Sequence, residues 1–155
     1  MSDELWAWGD DASAPRVLHA MIRVADLDRS LRFYRDLLGM KVLSRHDVPQ
    51  GKFSIVFLSF SGNYNECGAI ELTYNWEAPV NQDGYSHGTG YGHIAIGVPN
   101  VPAMCALLDA GGVEVTVQPK VLFAGGPSLA FVKDPDGYNI ELIQTSKLYP
   151  GIAAS

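Results

Sequence analysis

The chain is written twice, and no other feature limits its fold as much. Residues 19–24, HAMIRV, and 93–98, HIAIGV, share the pattern H-x-x-I-x-V at a shift of 74 residues, which sets His19 over His93, Ile22 over Ile96 and Val24 over Val98. At that shift Ser54-Ile55-Val56-Phe57-Leu58 lies over Ser128-Leu129-Ala130-Phe131-Val132, and Ile70-Glu71-Leu72 matches Ile140-Glu141-Leu142 with four residues of slippage. Self-similarity of this kind marks a duplicated supersecondary unit, since one copy leaves a face of its short sheet bare. Each half runs His, helix, strand, then Ile-Glu-Leu.

The spacing of apolar residues fills in the elements. A helix is predicted from Asp26 to Leu38, capped by Asp26 or Asp28, buried through Leu27, Leu31, Tyr34 and Leu38, and stopped at Gly39. Its counterpart spans Asn100 to Ala110: Asn100 caps it, Pro102 sits in the first turn, Met104, Leu107 and Leu108 form the buried stripe, and Gly111-Gly112 ends it. Strands are predicted near 17–24, 40–46, 53–60, 68–75, 91–98, 113–118, 128–133 and 138–144, with Asp134-Pro135-Asp136-Gly137 as a turn in which Gly137 takes positive φ. The expected fold is therefore α+β: two tandem βαβββ modules forming a curved mixed sheet, with helices outside and a cup inside. Module 1 covers about 17–76 and module 2 about 91–145, flanked by an N-terminal arm, 1–16, and a tail, 146–155. Trp6 and Trp8 are expected to dock that arm on the protein surface or on a neighbouring subunit.

Composition excludes several function classes. A chain of 155 residues with 47% hydrophobic and 18% charged residues can bury a core and is neither disordered nor a coiled coil. A formal charge of −6 without a basic run argues against nucleic-acid and anionic-membrane surfaces. Cys67 and Cys105 are too few and too far apart for a disulfide scaffold or a CxxC metal pair, which points to a reducing compartment. An acidic N-terminus and the lack of a long apolar run predict a cytoplasmic protein.

Side chains alternate across a strand, so His19, Met21 and Arg23 share one face of the first strand and the aliphatic residues take the other. The same rule turns Glu71, Thr73 and Asn75 away from Ile70 and Leu72, His93 away from Ile94 and Ile96, and Glu141 away from Ile140 and Leu142. Two imidazoles and two carboxylates on facing strands are a mixed nitrogen and oxygen set that suits nickel, cobalt, zinc, manganese or iron, whereas calcium prefers oxygen alone. A single strand histidine is usually structural; His and Glu at matching places in both halves are not easily explained that way. His87, in a glycine-rich loop, is expected to be exposed, and His46 has no counterpart in the repeat. Cys105 reads as a small buried hydrophobe.

The segments LHAMIRVADLDRSLRFYRDLLGMKVL, AIELTYNW, YGHIAIGV and LAFVKDPDGYNIELI resemble glyoxalase I, lactoylglutathione lyase, of the vicinal oxygen chelate superfamily. The resemblance covers residues 17 to about 145. It implies one divalent metal held by His19, Glu71, His93 and Glu141, with nickel or cobalt favoured over zinc because the chain is compact. It implies a homodimer whose sites draw His19 and Glu71 from one chain and His93 and Glu141 from the other. The implied substrate is the hemithioacetal of glutathione and a 2-oxoaldehyde such as methylglyoxal, isomerised to S-lactoylglutathione through an enediolate, with Glu141 as first and Glu71 as second choice of base. Arg23 and Asn75 are implied contacts of the tripeptide. Relatives often carry a lysine for its glycyl carboxylate before the second-half strand; here Val121-Leu122-Phe123-Ala124-Gly125 is apolar and Lys120 is the nearest cation. Phe57, Met21, Leu122 or Phe123 would supply apolar walls. The same fold serves extradiol dioxygenases, epimerases and non-catalytic small-molecule binding modules, and these are the rival readings.

Overall fold

A computed structural model describes residues 15–63, 66–77 and 84–147. Trp6, Trp8 and nearly all of both the arm and the tail lie outside these residues. The chain divides into two compact units, Met1–Tyr85 and Ser86–Ser155.

In the first unit the strands are β1 (His19–Arg23), β2 (Lys41–Val48), β3 (Phe53–Ser59) and β4 (Ala69–Asn75), ordered β1-β4-β3-β2 in one sheet. The pair β1–β4 is parallel and the other two pairs are antiparallel. Helix α1 (Leu27–Leu31) connects β1 to β2. Asp26 caps it from an extended backbone conformation, its carboxylate accepting the Arg29 N–H at 3.0 Å. The helix then widens into a π-helical turn over Arg32–Leu37, in which Leu38 N–H donates to the Phe33 carbonyl at 3.0 Å. The single regular helix expected over 26–38 is therefore two kinds of helix in series. Adjacent residues of an α-helix point about 100° apart. The wider turn admits consecutive aromatics, Phe33 and Tyr34, both buried and packed edge to face at 4.7 Å.

The second unit repeats this plan with β5 (Ile94–Val98), α2 (Val101–Ala110), β6 (Val115–Val121), β7 (Ser128–Lys133) and β8 (Asn139–Gln144), ordered β5-β8-β7-β6. Asn100 caps α2 as Asp26 caps α1, accepting the Ala103 N–H at 3.0 Å. Its buried stripe is Val101, Cys105 and Leu108; Leu107, assigned to the core from spacing, is 49% exposed. Positions 101, 105 and 108 are one helical face, and Leu107 lies about 100° round the helix from Leu108, off that face. The expected Asp134–Gly137 turn is present: Gly137 has φ 83°, and the buried Asp134 carboxylate accepts the N–H groups of Asp136 and Tyr138, both at 2.9 Å.

Each unit has its own apolar core on one face of its sheet, and in the second unit α2 packs against β6, β7 and β8. Ile22, Val56, Leu58, Ile70 and Leu72 share one face of the first sheet, and Ile96, Ala130, Val132, Ile140 and Leu142 share the matching face of the second; all are buried, as are Val24 and Val98. Burial of each Val, Leu or Ile contributes about 1.5–3 kcal/mol. The opposite face of each sheet is left for polar side chains.

Candidate functional site

Register puts one imidazole beside one carboxylate in each unit. In the first, the parallel pair aligns Met21 with Glu71, and His19 Nε2 lies 2.9 Å from Glu71 Oε2. In the second, His93 enters β5 one residue before its first paired position, and His93 Nε2 lies 3.0 Å from Glu141 Oε2. The carboxylates are similarly enclosed, at 15% and 14% side-chain exposure, whereas the imidazoles are more open, at 27% and 44%.

Both pairs rest on a phenylalanine. Phe57 lies opposite Glu71 in the β3–β4 ladder and meets His19 edge-on with centroids 5.1 Å apart; Phe131 lies opposite Glu141 and meets His93 edge-on at 5.3 Å. Sequence reasoning treated Phe57 as a wall and missed this supporting role. The signal was available, because Phe57 and Phe131 superpose at the repeat shift.

The donor chemistry fits a transition ion. Two ligand atoms each bonded at about 2.1 Å and set at a right angle lie about 3 Å apart, which is the separation within both pairs. Among the described residues no group of three or more His, Cys, Asp or Glu side chains gathers, and each unit holds one imidazole–carboxylate pair.

Polar groups flank the first pair. Thr73 Oγ1 donates to Glu71 Oε1 at 3.1 Å, and Asn75 Nδ2 donates to the Tyr85 phenol oxygen at 3.4 Å. The sequence placed Thr73 on this face without giving it a role, and it did not single out Tyr85. Arg23 is exposed on the His19 face, aligned with Thr73. Lys120, half-buried on β6, pairs with Leu129, which puts it on the face of Phe131 and Glu141. Leu122 and Phe123 are 63% and 66% exposed, and Met21 is 41% exposed.

His87 departs from expectation. It is half-buried and stacked on Tyr138 at 4.1 Å and 10°, with Tyr91 alongside at 5.8 Å, because the segment before β5 packs against the 134–138 turn. Tyr91 donates to the Asn139 carbonyl at 2.9 Å, and burial, with the Asp134 charge, pushes its phenol up to about 12. Trp76 and Tyr74 lie on the opposite face from Glu71. There Trp76 Nε1 donates to Ser54 Oγ at 2.9 Å, beside a cleft of ≈ 440 Å³ that holds no histidine. Cys67 is exposed and Cys105 buried.

Residues 16–142 match the family described as the Glyoxalase/Bleomycin resistance protein/Dioxygenase superfamily. Lactoylglutathione lyase of Haemophilus influenzae is 44% identical over 137 residues, covering 88% of this chain and 98% of that one. This chain belongs to the glyoxalase I family. Among solved structures, the trypanothione-dependent glyoxalase I of Leishmania major is 44% identical with a TM-score of 0.71, covering 84% of this chain and 87% of that one. Glyoxalase I of Zea mays is 40% identical with a TM-score of 0.77; 85% of this chain is covered, and it spans 45% of the maize chain. The glyoxalase family implies a divalent metal cofactor. No helix among the described residues is long and apolar enough to cross a membrane.

Proposed function

We propose that this protein is a lactoylglutathione lyase that detoxifies methylglyoxal, isomerising the hemithioacetal of methylglyoxal and glutathione to S-lactoylglutathione. The observation that carries the reading is the repeated imidazole–carboxylate contact, 2.9 Å in one unit and 3.0 Å in the other. His19, Glu71, His93 and Glu141 would hold one divalent ion. A pair is half of what a transition ion takes, and the other half comes from a partner in a homodimer: His19 and Glu71 from one subunit, His93 and Glu141 from the other. Nickel or cobalt is the proposed metal, with zinc the alternative. The protein is proposed to work in the cytoplasm, where reduced glutathione is available.

The reaction moves hydrogen without any net oxidation. The carbon bearing sulfur loses its proton and becomes the thioester carbonyl, and the neighbouring carbonyl carbon gains a proton and becomes the carbinol. A divalent ion, when bound, supplies positive charge where negative charge develops on the two adjacent oxygens, an effect of several kcal/mol. Glu141 takes the proton from the first carbon and returns it to the second, with Glu71 the second choice of base. Such general base assistance is worth about two to four powers of ten. Arg23 and Asn75 hold the polar ends of the tripeptide, and Lys120 shares the Glu141 face as a candidate for its glycyl carboxylate. Phe57 and Phe131 exclude water beneath the ligands.

The test is thioester absorbance on mixing metal-stripped protein, reloaded with nickel, cobalt or zinc, with methylglyoxal and either glutathione or trypanothione. Thioester with glutathione is expected, most strongly with nickel or cobalt. Turnover only with trypanothione would replace the thiol, and no thioester with any metal would refute the reading.

A further inference from the structure

The two half-sites are copies, yet their carboxylates are not held alike. Glu71 is bonded at both oxygens: Oε2 faces His19 at 2.9 Å and Oε1 accepts the Thr73 hydroxyl at 3.1 Å. Glu141 keeps only the first contact, with His93 at 3.0 Å, and among the described residues nothing else bonds it. The cause is one position in the repeat. Ile70-Glu71-Leu72-Thr73 overlies Ile140-Glu141-Leu142-Ile143, so the place of the hydroxyl is taken by an aliphatic side chain. Enclosure does not account for the difference, since the two carboxylates are within one percentage point of each other in exposure. Neither does the strand frame: Thr73 lies opposite Ile55, and Ile143 lies opposite Leu129, at equivalent ladder positions.

We propose that Thr73 is a positioning residue that fixes Glu71 in place, and that Ile143 at the matching position leaves Glu141 free to turn. Thr73 is suited to the task, because a β-branched side chain has few χ1 choices and it is 9% exposed, so its hydroxyl is held toward the carboxylate. A carboxylate gripped at two oxygens is a good permanent ligand and a poor proton carrier. One gripped once can swing between ion and substrate. The duplicated sites thus divide the work, Glu71 holding and Glu141 carrying the proton. This inference rests on the enzyme reading above, but part of its test does not need turnover.

Nickel alone is titrated into metal-free wild type, Thr73→Val, Thr73→Ser, Ile143→Thr and Ile143→Val, and kcat and KM are measured at saturating nickel. A hydrogen bond to a charged group is worth enough that Thr73→Val should weaken nickel binding about tenfold, with Thr73→Ser restoring it. Ile143→Thr should bind nickel at least as tightly as wild type, yet lose about tenfold in kcat with KM unchanged, because its new hydroxyl pins Glu141. Ile143→Val should match wild type in both. Where valine at 73 disturbs folding, Thr73→Ala removes the hydroxyl without adding bulk and is expected to repeat its nickel result. Wild-type nickel affinity without the Thr73 hydroxyl, or unchanged kcat in Ile143→Thr, would overturn the proposal. A wild type that binds nickel but makes no thioester would instead sink the enzyme reading, and the titration would still decide whether Thr73 fixes Glu71.

Discussion

Phe57 stands directly across the β3–β4 ladder from Glu71 while its ring supports the His19 imidazole edge-on at 5.1 Å. One buried aromatic therefore borders both members of the imidazole–carboxylate pair. Phe57→Leu removes part of a buried side chain and should lower stability by about 1–2 kcal/mol, less than truncation to alanine would, and should also weaken metal binding several-fold. Urea unfolding and a metal titration on the same preparation check the two effects; a stability loss with unchanged metal affinity would make Phe57 a packing residue only.

The four proposed ligands are expected to separate by chemistry. His19→Ala and His93→Ala should each lose most metal affinity, since no other imidazole is repeated between the halves. Glu141→Gln should retain the ion and lose kcat by about two to four powers of ten, the range of general base assistance. Metal content by elemental analysis, beside steady-state rates, distinguishes the cases. Histidine variants with full metal content would remove both histidines from the ligand set.

Tyr91 makes alkaline stability a probe of the segment before β5. Its phenol is pushed up to about 12 from an ordinary 10 by burial and by the Asp134 charge. The unfolded chain therefore gives up this proton first as pH rises, and the native state loses stability between about pH 10 and 12. Below pH 10 the contribution is fully present. In Tyr91→Phe this part of the alkaline decline should be absent, at the expense of about 1 kcal/mol at neutral pH for the lost bond to the Asn139 carbonyl. Thermal melts across pH 8–11.5 compare the two proteins, and parallel curves would show that Tyr91 does not govern the decline.

Helix capping offers an independent check on the second unit. Asn100 meets the Ala103 N–H at 3.0 Å from a side chain that nothing else replaces, so Asn100→Ala should cost about 1 kcal/mol and Asn100→Asp almost nothing. Chemical denaturation measures both.

Much of this was readable in the chain. The repeat placed His19, Glu71, His93 and Glu141 on the polar faces of their strands because side-chain alternation has a period of two and the neighbouring isoleucines and leucines declare the buried face. Spacing within a half was less informative where two helical faces compete. Leu107 looked like core by hydrophobicity, but Val101, Cys105 and Leu108 fill the face that the sheet covers. The π-helical turn at Arg32–Leu37 carries no glycine or proline to announce it; it follows from two adjacent aromatics that both enter the core. His87 looked exposed because its glycines suggest a loose loop, whereas the stacking partner, Tyr138, is 51 residues away in the chain and invisible to local patterns.

The connections that differ between the halves leave the imidazole–carboxylate contact untouched. Nine residues, 60–68, join β3 to β4, and five, 134–138, join β7 to β8, which is the whole of the four-residue slippage in the repeat. The imidazole–carboxylate spacing nevertheless differs by only 0.1 Å. Segments could accordingly be inserted or trimmed at 60–68, by evolution or by an engineer, while a single residue added within β4 would turn Glu71 toward the oily side and disarm the enzyme.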